Sequence, residues 1–221
     1  MDTLKRISSY LLSKIPLKNP FYFVGGTVRD ELLNRPYTDI DISTPYLPSE
    51  LAQYLKDEES FSLAFARFGT LSFRLGENEV TFTTMRKEGE YTDHRHPKKI
   101  EFVKDPADDA LRRDFTVNAM YLSPELVLLD PLSGKKDLDS KVLRMVGDPM
   151  IRLKEDPLRI LRAYRFQEEL GFSFDPELED ALNREFPLLK EIRKEKIEME
   201  LAKFPPGTRG IYRKKALGVL D

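Results

Sequence analysis

The chain predicts an α+β fold, with strands first and helices after, on two observations. Up to about residue 146, short runs rich in β-branched and aromatic residues alternate with turn residues. From about residue 149 onward glycine is scarce, and apolar and charged residues recur at helical spacing. The change of texture places a boundary near Gly147–Pro149, giving a first domain over residues 1–146 and a helical one over 147–221.

The N-terminal stretch MDTLKRISSYLLSKIPLKNP has neither a long apolar core nor a small-residue cleavage site, so it reads as an amphipathic helix rather than a signal peptide. FYFV and TDIDIS read as strands, with helical segments at 27–34 and 49–57. FSLAFA, GTLSFRL, EVTFTTM, KIEFV, MYLS and LVLLD follow as further strands, and GENE is the turn between two of them. RKEGEYTDHRHPKK, after Met85, is polar and aperiodic and reads as a long loop of the kind that is usually functional or disordered.

The helical half opens with Asp156 before Pro157, an N-cap followed by proline at the first helical position. LRILRAYRFQEEL continues it, with Leu158, Leu161 and Phe166 free to face the core. Arg159, Arg162 and Arg165 recur every three residues. Cations at the start of a helix oppose its dipole, so an anion such as a triphosphate or an RNA backbone explains them better than the alternative, an exposed structural stripe.

Composition narrows the class. The 221 residues suit one large domain or two small ones, and 40% apolar with 33% charged content reads as globular. No apolar run is long enough for a membrane span. The chain has no cysteine, which excludes disulfides and thiolate zinc sites and makes a cytoplasmic location the default. His94 and His96 are the only histidines. A net charge of −2 does not mark a nucleic-acid binder, but basic residues cluster at Arg112–Arg113, along Arg159, Arg162 and Arg165, and from Arg209 to Lys215.

The chemistry concentrates in Phe21 to Thr44, where an apolar run meets Gly25-Gly26, a helix-like segment and then a strand carrying Asp39 and Asp41. Glycines between a strand and a helix let backbone amides approach a phosphate. Arg29 and Asp30 stand where they could fix that loop or touch the phosphate. Alternate strand residues share a face, so Asp39 and Asp41 project together while Ile40 and Ile42 point to the core. Paired carboxylates on a rigid strand suit a hard cation such as Mg2+. In RRDFTVNAM, Arg113 could bind a phosphate and Asp114 could accept from a ribose hydroxyl; a simple Asp–Arg turn pair reads equally well. In EDPLRILRAYRF, Asp156 and Arg159 offer acceptors and fork-like donors that could read the edge of a base.

These blocks, GGTVRD…DID, RRDFTVNA, DPLSGKKDL and EDPLRILRAYRF, resemble, in their order, the class II CCA-adding tRNA nucleotidyltransferase and bacterial poly(A) polymerase family over about residues 1–205. The resemblance implies a nucleotidyltransferase head, a mixed β-sheet with flanking helices, followed by a helical neck. It implies metal ligands at Asp39 and Asp41 and nucleotide contacts at Gly26, Arg29, Arg113, Asp156, Arg159, Arg162 and Arg165, to which the reading of the residues adds Gly25 and Asp114. The Asp156 and Arg159 pair would act as a protein template for CTP and ATP, and residues 86–98 match the loop linked to the switch from C to A addition. The expected activity is addition of CMP and AMP to the tRNA 3′ end, with Mg2+ as cofactor. RFGTLSF favours CCA addition over poly(A) synthesis; poly(A) polymerases, partial CC- or A-adding enzymes and non-catalytic RNA-binding relatives are the alternatives.

The chain departs from the family pattern at three places. Thr81 stands where members carry an acidic residue, and Glu79, two residues back on the same strand face, is the candidate substitute. Lys196 replaces an arginine of the neck, an exchange expected to loosen packing there. Members also continue into helical body and tail domains, whereas this chain runs to residue 221, so it is either part of a longer protein or grips RNA differently.

Overall fold

The structure is a computed structural model and describes residues 1–18, 21–89 and 100–218. It forms two compact units. The first comprises Met1–Lys87, Ile100–Arg113 and Val117–Gly134; the second is built chiefly from Asp114–Thr116 and Lys135–Asp221.

The first unit opens with helix α1 (Asp2–Lys14), which buries Leu4, Ile7 and Leu11 on one stripe. Strand β1 (Tyr22–Val24) leads into α2 (Gly26–Leu32), β2 (Asp39–Thr44) and α3 (Pro48–Leu55). Strands β3 (Glu59–Ser62), β4 (Thr70–Leu75) and β5 (Asn78–Thr84) follow, and the turn at Gly76-Glu77 joins the last two. Next come β6 (Arg86–Glu88), β7 (Ile100–Phe102), α4 (Pro106–Ala110), β8 (Tyr121–Leu122) and β9 (Leu128–Leu129).

Seven strands make a mixed sheet in the order β3-β4-β5-β2-β1-β8-β9. Only β2 and β5 pair parallel among them, with Asp39 opposite Glu79 and Asp41 opposite Thr81. The other pairs are antiparallel. Alternation along these strands sorts the two faces. Phe23, Ile40, Ile42, Leu71, Phe73, Val80 and Phe82 are all buried and form the core, where Phe21 meets Phe23 and Phe82 edge-on. Asp39, Asp41, Ser43, Glu79 and Thr81 take the opposite face.

Strands β6 and β7 form a separate two-stranded ribbon, so Arg86–Glu88 is a strand where the sequence suggested loop. A three-residue strand rich in charge has no alternation to announce it. Residues 90–99 of the expected loop, including His94 and His96, lie outside the described residues.

In the second unit, α5 (Gly134–Asp139) precedes β10 (Val142–Leu143), which pairs in parallel with β11 (Ser173–Phe174). Between them run α6 (Pro149–Glu155) and α7 (Leu158–Leu170). Asp148 caps α6, accepting from the Met150 and Ile151 amides, with Pro149 at the first helical position. Helices α8 (Pro176–Glu185), α9 (Lys194–Leu201) and α10 (Pro206–Leu217) complete the unit. Ile160, Leu161, Ala163, Tyr164 and Phe166 of α7 are buried. Phe115 packs edge-on against Phe166, and the Val146 amide donates to the Asp114 carbonyl, which fastens Asp114–Thr116 to this unit. No described helix is long and apolar enough to cross a membrane.

Candidate active site

Gly25 sits between β1 and α2 with φ 67° and ψ −137°, a conformation essentially restricted to glycine. A Cβ there would lie 3.3 Å from Asp41 Oδ2 and 3.8 Å from Arg113 Nη1. The missing side chain therefore leaves a gap flanked by a carboxylate and a guanidinium. Thr27 locks the gap to the strand: its hydroxyl donates to the Asp39 carbonyl at 3.1 Å and accepts from the Asp41 amide at 2.8 Å. Asp39 and Asp41 are both exposed and project from the same face of β2.

Arg29 is buried behind Gly26, where a Cβ would come 3.5 Å from its Nη2. Its Nε and Nη2 donate to the two oxygens of Asp30 at 3.0 and 2.8 Å, and Nη1 donates to Asn118 Oδ1 at 2.7 Å. These contacts place Arg29 as the buttress of the glycine loop.

The two carboxylates offer hard oxygen donors that fit a divalent cation. Among the described residues no three acidic or histidine side chains are arranged to hold a metal ion. Glu79, although in register with Asp39, does not complete such a group, and the position beside Asp41 is Thr81. A cation here would draw its other ligands from water and substrate phosphates, the usual habit of magnesium.

Arg113 is held by three elements. Nε donates to the Tyr121 hydroxyl at 2.9 Å, and Nη2 donates to Ser43 Oγ at 2.8 Å and to Asp109 Oδ2 at 2.9 Å. Asp109 is fully buried. Burial by itself would raise its pKa, but the guanidiniums of Arg113 and Arg112, the Arg86 amide and the Tyr121 hydroxyl hold it at about 2. A carboxylate depressed in the folded state contributes stability above its ordinary pKa of 3.8 and loses it as pH falls towards 2. The contribution is about 2 kcal/mol. Urea unfolding should accordingly weaken more steeply between pH 4 and pH 2.5 in the wild type than in Asp109→Asn; equal slopes would remove Asp109 as the source.

In the second unit, Asp114 Oδ1 accepts from the Phe115 amide, and Oδ2 accepts from Nε and Nη2 of Arg162. Burial opposes the charge on Arg162, yet the Asp114 carboxylate keeps its pKa above the ordinary value. Asp156 is extended between α6 and α7, and its Oδ1 accepts from the Leu158 amide at 3.1 Å. Arg159 is buried, donating from Nη1 to the Arg152 carbonyl at 2.7 Å and to Glu155 at 3.2 Å. Arg165 is buried as well, with Nε on Glu200 at 2.7 Å and Nη1 on Glu169 at 2.9 Å. Each arginine of the expected stripe thus meets a carboxylate of the protein itself.

The structure brings Gly25, Asp41 and Arg113 together, sets Asp39 on the same strand face, and pairs Asp114 with Arg162. The sequence reading passed over Thr27, Ser43, Asp109, Asn118 and Tyr121. Asp109 had a signal: it precedes Arg112 and Arg113 by three and four residues, the spacing of neighbours on a helical turn. Ser43 had one too, continuing the alternation of Asp39 and Asp41.

Comparison with known proteins matches residues 21–144 to the poly A polymerase head domain family. The CCA-adding enzyme of Listeria innocua is 39% identical over 186 residues, which is 84% of this chain and 47% of that protein. The CCA-adding enzyme of Geobacillus sp. is 39% identical over 199 residues, 90% of this chain and 48% of that one. In structure, the Bacillus stearothermophilus CCA-adding enzyme in complex with CTP superposes with a TM-score of 0.74 at 33% identity, covering 90% of this chain and 47% of that chain. A tRNA nucleotidyltransferase complexed with a primer tRNA and an incoming ATP analogue gives 0.71 at 29% identity, covering 98% of this chain and 62% of that one. The chain spans about half the length of the curated relatives it matches. Its two-unit α+β architecture and its matched length agree: the chain belongs to the poly A polymerase head domain family, alongside CCA-adding tRNA nucleotidyltransferases.

Proposed function

We propose that this chain carries out metal-dependent nucleotide transfer to the 3′ end of tRNA, adding CMP and AMP from CTP and ATP without a nucleic-acid template. The observation that carries the reading is the convergence of Asp41 and Arg113 on the gap at Gly25, beside Asp39. A strand edge with two carboxylates, next to a glycine loop and a fixed cation, suits a triphosphate and its counter-ion. Relatives named CCA-adding enzyme, one of them in complex with CTP, support the choice of substrates.

Asp39 and Asp41 would hold Mg2+, which when bound neutralises phosphate charge and favours attack by a hydroxyl. The 3′-hydroxyl of the RNA attacks the α-phosphate, its proton passes to solvent, and pyrophosphate leaves. In the first unit, the Gly25 and Gly26 backbone receives the phosphates, Arg113 neutralises their charge, and Arg29 keeps the loop in place. In the second unit, Asp114, oriented by Arg162, accepts from a ribose hydroxyl. Asp156 and Arg159 read the base edge on which cytosine and adenine both present an amino donor and a ring-nitrogen acceptor. Arg165, clamped by Glu200 and Glu169, fixes the helix that carries Arg159. Positioning and charge neutralisation do most of the catalytic work. The absence of cysteine accords with a cytoplasmic setting.

The test is magnesium-dependent release of pyrophosphate from CTP or ATP with an RNA primer. Nucleotide binding without release would contradict the reading and favour a non-catalytic RNA-binding protein. Asp156→Ala should reduce discrimination of CTP over UTP by at least tenfold, since a missing base-edge partner leaves the choice to shape alone. Unchanged selection of CTP and ATP would remove Asp156 from base reading.

A further inference from the structure

Arg113 is oriented by a frame that the proposed chemistry does not itself use. Asp109 lies on α4, whose start is capped by Asp105 accepting from the Ala107 amide at 2.9 Å. Its Oδ2 accepts from Arg113 Nη2 at 2.9 Å and from the Tyr121 hydroxyl at 2.8 Å. Its Oδ1 accepts from Arg112 Nε at 2.7 Å and from the Arg86 amide at 3.1 Å. The Tyr121 hydroxyl in turn accepts from Arg113 Nε, and the guanidinium lies 5.2 Å from the centre of the Tyr121 ring. Ser43 adds a further acceptor for Nη2.

Nε and Nη2 of the guanidinium are thus tied to β2, β8 and α4. Nη1 lies beside the gap, 3.8 Å from where a Gly25 Cβ would stand. A buried ion pair is weak evidence for stability, because desolvation offsets most of the attraction. What the three hydrogen bonds converging on the guanidinium do supply is a single orientation for a long, otherwise rotamer-rich side chain.

We propose that Asp109, Tyr121 and Ser43 are positioning residues that fix Arg113 so that Nη1 meets the phosphates of the incoming nucleoside triphosphate. The inference rests on the reading of Arg113 as a phosphate ligand. It locates part of the affinity for nucleotide in a buried carboxylate and a buried phenol that do not touch the nucleotide.

Tyr121→Phe tests this with the least disturbance, since it keeps the ring and deletes only the hydroxyl. The measurement is the dissociation constant for CTP, with magnesium, in a double-mutant cycle on the 221-residue chain. Unfolding midpoints of each variant are recorded alongside. Arg113→Ala should weaken CTP at least tenfold, and Tyr121→Phe alone roughly five- to twenty-fold. On the Arg113→Ala background, Tyr121→Phe should change affinity less than about twofold. Asp109→Asn should follow the same non-additive pattern. Equal losses on both backgrounds would overturn the positioning role, as would full CTP affinity in Tyr121→Phe. If Arg113→Ala binds CTP like the wild type, the phosphate-ligand reading fails first, and the inference goes with it.

Discussion

Replacing Asp41 by alanine is expected to lower the rate of nucleotide transfer by about a thousandfold or more, and Asp39→Ala should do the same. The magnitude follows from the several kcal/mol that a metal-held charge contributes in phosphoryl and nucleotidyl transfer. The fold should survive. Both carboxylates are exposed, and the apolar partners that hold β2 in the sheet are Ile40 and Ile42 on the other face. Surface substitutions of this kind shift stability by about 0.5 kcal/mol or less. Single-turnover transfer and thermal unfolding, measured on the same preparations, separate the two effects. A variant that folds and transfers at the wild-type rate would remove its aspartate from the proposed metal ligands.

The second large effect is on stability. Glu200 of α9 is buried against Arg165 of α7 and also receives Lys203. Burial works against the charged form, yet these cations, with Arg162 nearby, keep the carboxylate pKa below its ordinary value. Glu200→Ala should leave the Arg165 guanidinium buried without that partner, at a cost of about 3–5 kcal/mol. For a chain of this size the melting temperature should fall by roughly 6–20 °C. The double change Arg165→Met with Glu200→Leu should recover most of that loss, because replacing both partners by apolar groups of similar volume is often neutral. A Glu200→Ala protein that melts within about 2 °C of the wild type would mean that the contact carries no stability. The same contact fixes the helix proposed to read the base, so Glu200→Ala should also blur nucleotide choice at temperatures where it remains folded.

How much of this was legible in the chain depends on how far each signal reaches. Ile40 and Ile42 against Asp39 and Asp41 announce both the strand and its two faces, because side-chain alternation is local. Gly25-Gly26 likewise marks a special turn, and the structure places Gly25 in a conformation that only glycine adopts freely. The strands at FYFV, GTLSFRL and EVTFTTM were visible in the same way, whereas FSLAFA holds only the end of the strand Glu59–Ser62 and then turns at Ala66–Phe68; the helix at EDPLRILRAYRF carried its own start signal.

Contacts across long sequence distances were not visible. The dipole argument expected an anion beside the arginines at 159, 162 and 165, but it considers one helix alone and could not name the carboxylates that meet Arg162 and Arg165. Glu200 lies 35 residues beyond Arg165, and Asp114 lies 48 before Arg162; nothing in either stretch ties them together until the chain folds. The texture change near Gly147 could not reveal that Val142–Leu143 pair with Ser173–Phe174, since a two-residue strand leaves no period to read. Tyr121 was one aromatic among many in the strands. Its hydroxyl gained meaning only when β8 placed it beside Asp109 and Arg113.

The central claim, ordered addition of C, C and A to tRNA, has one direct test. The chain is incubated with labelled CTP and ATP and magnesium, and offered tRNA lacking CCA, tRNA ending in CC, and an unrelated RNA. Products are resolved at single-nucleotide steps. The prediction is two cytidines and then one adenosine on the first substrate, one adenosine on the second, and nothing on the third. Adenosine tails on all three RNAs would contradict the account and make the chain a poly(A) polymerase.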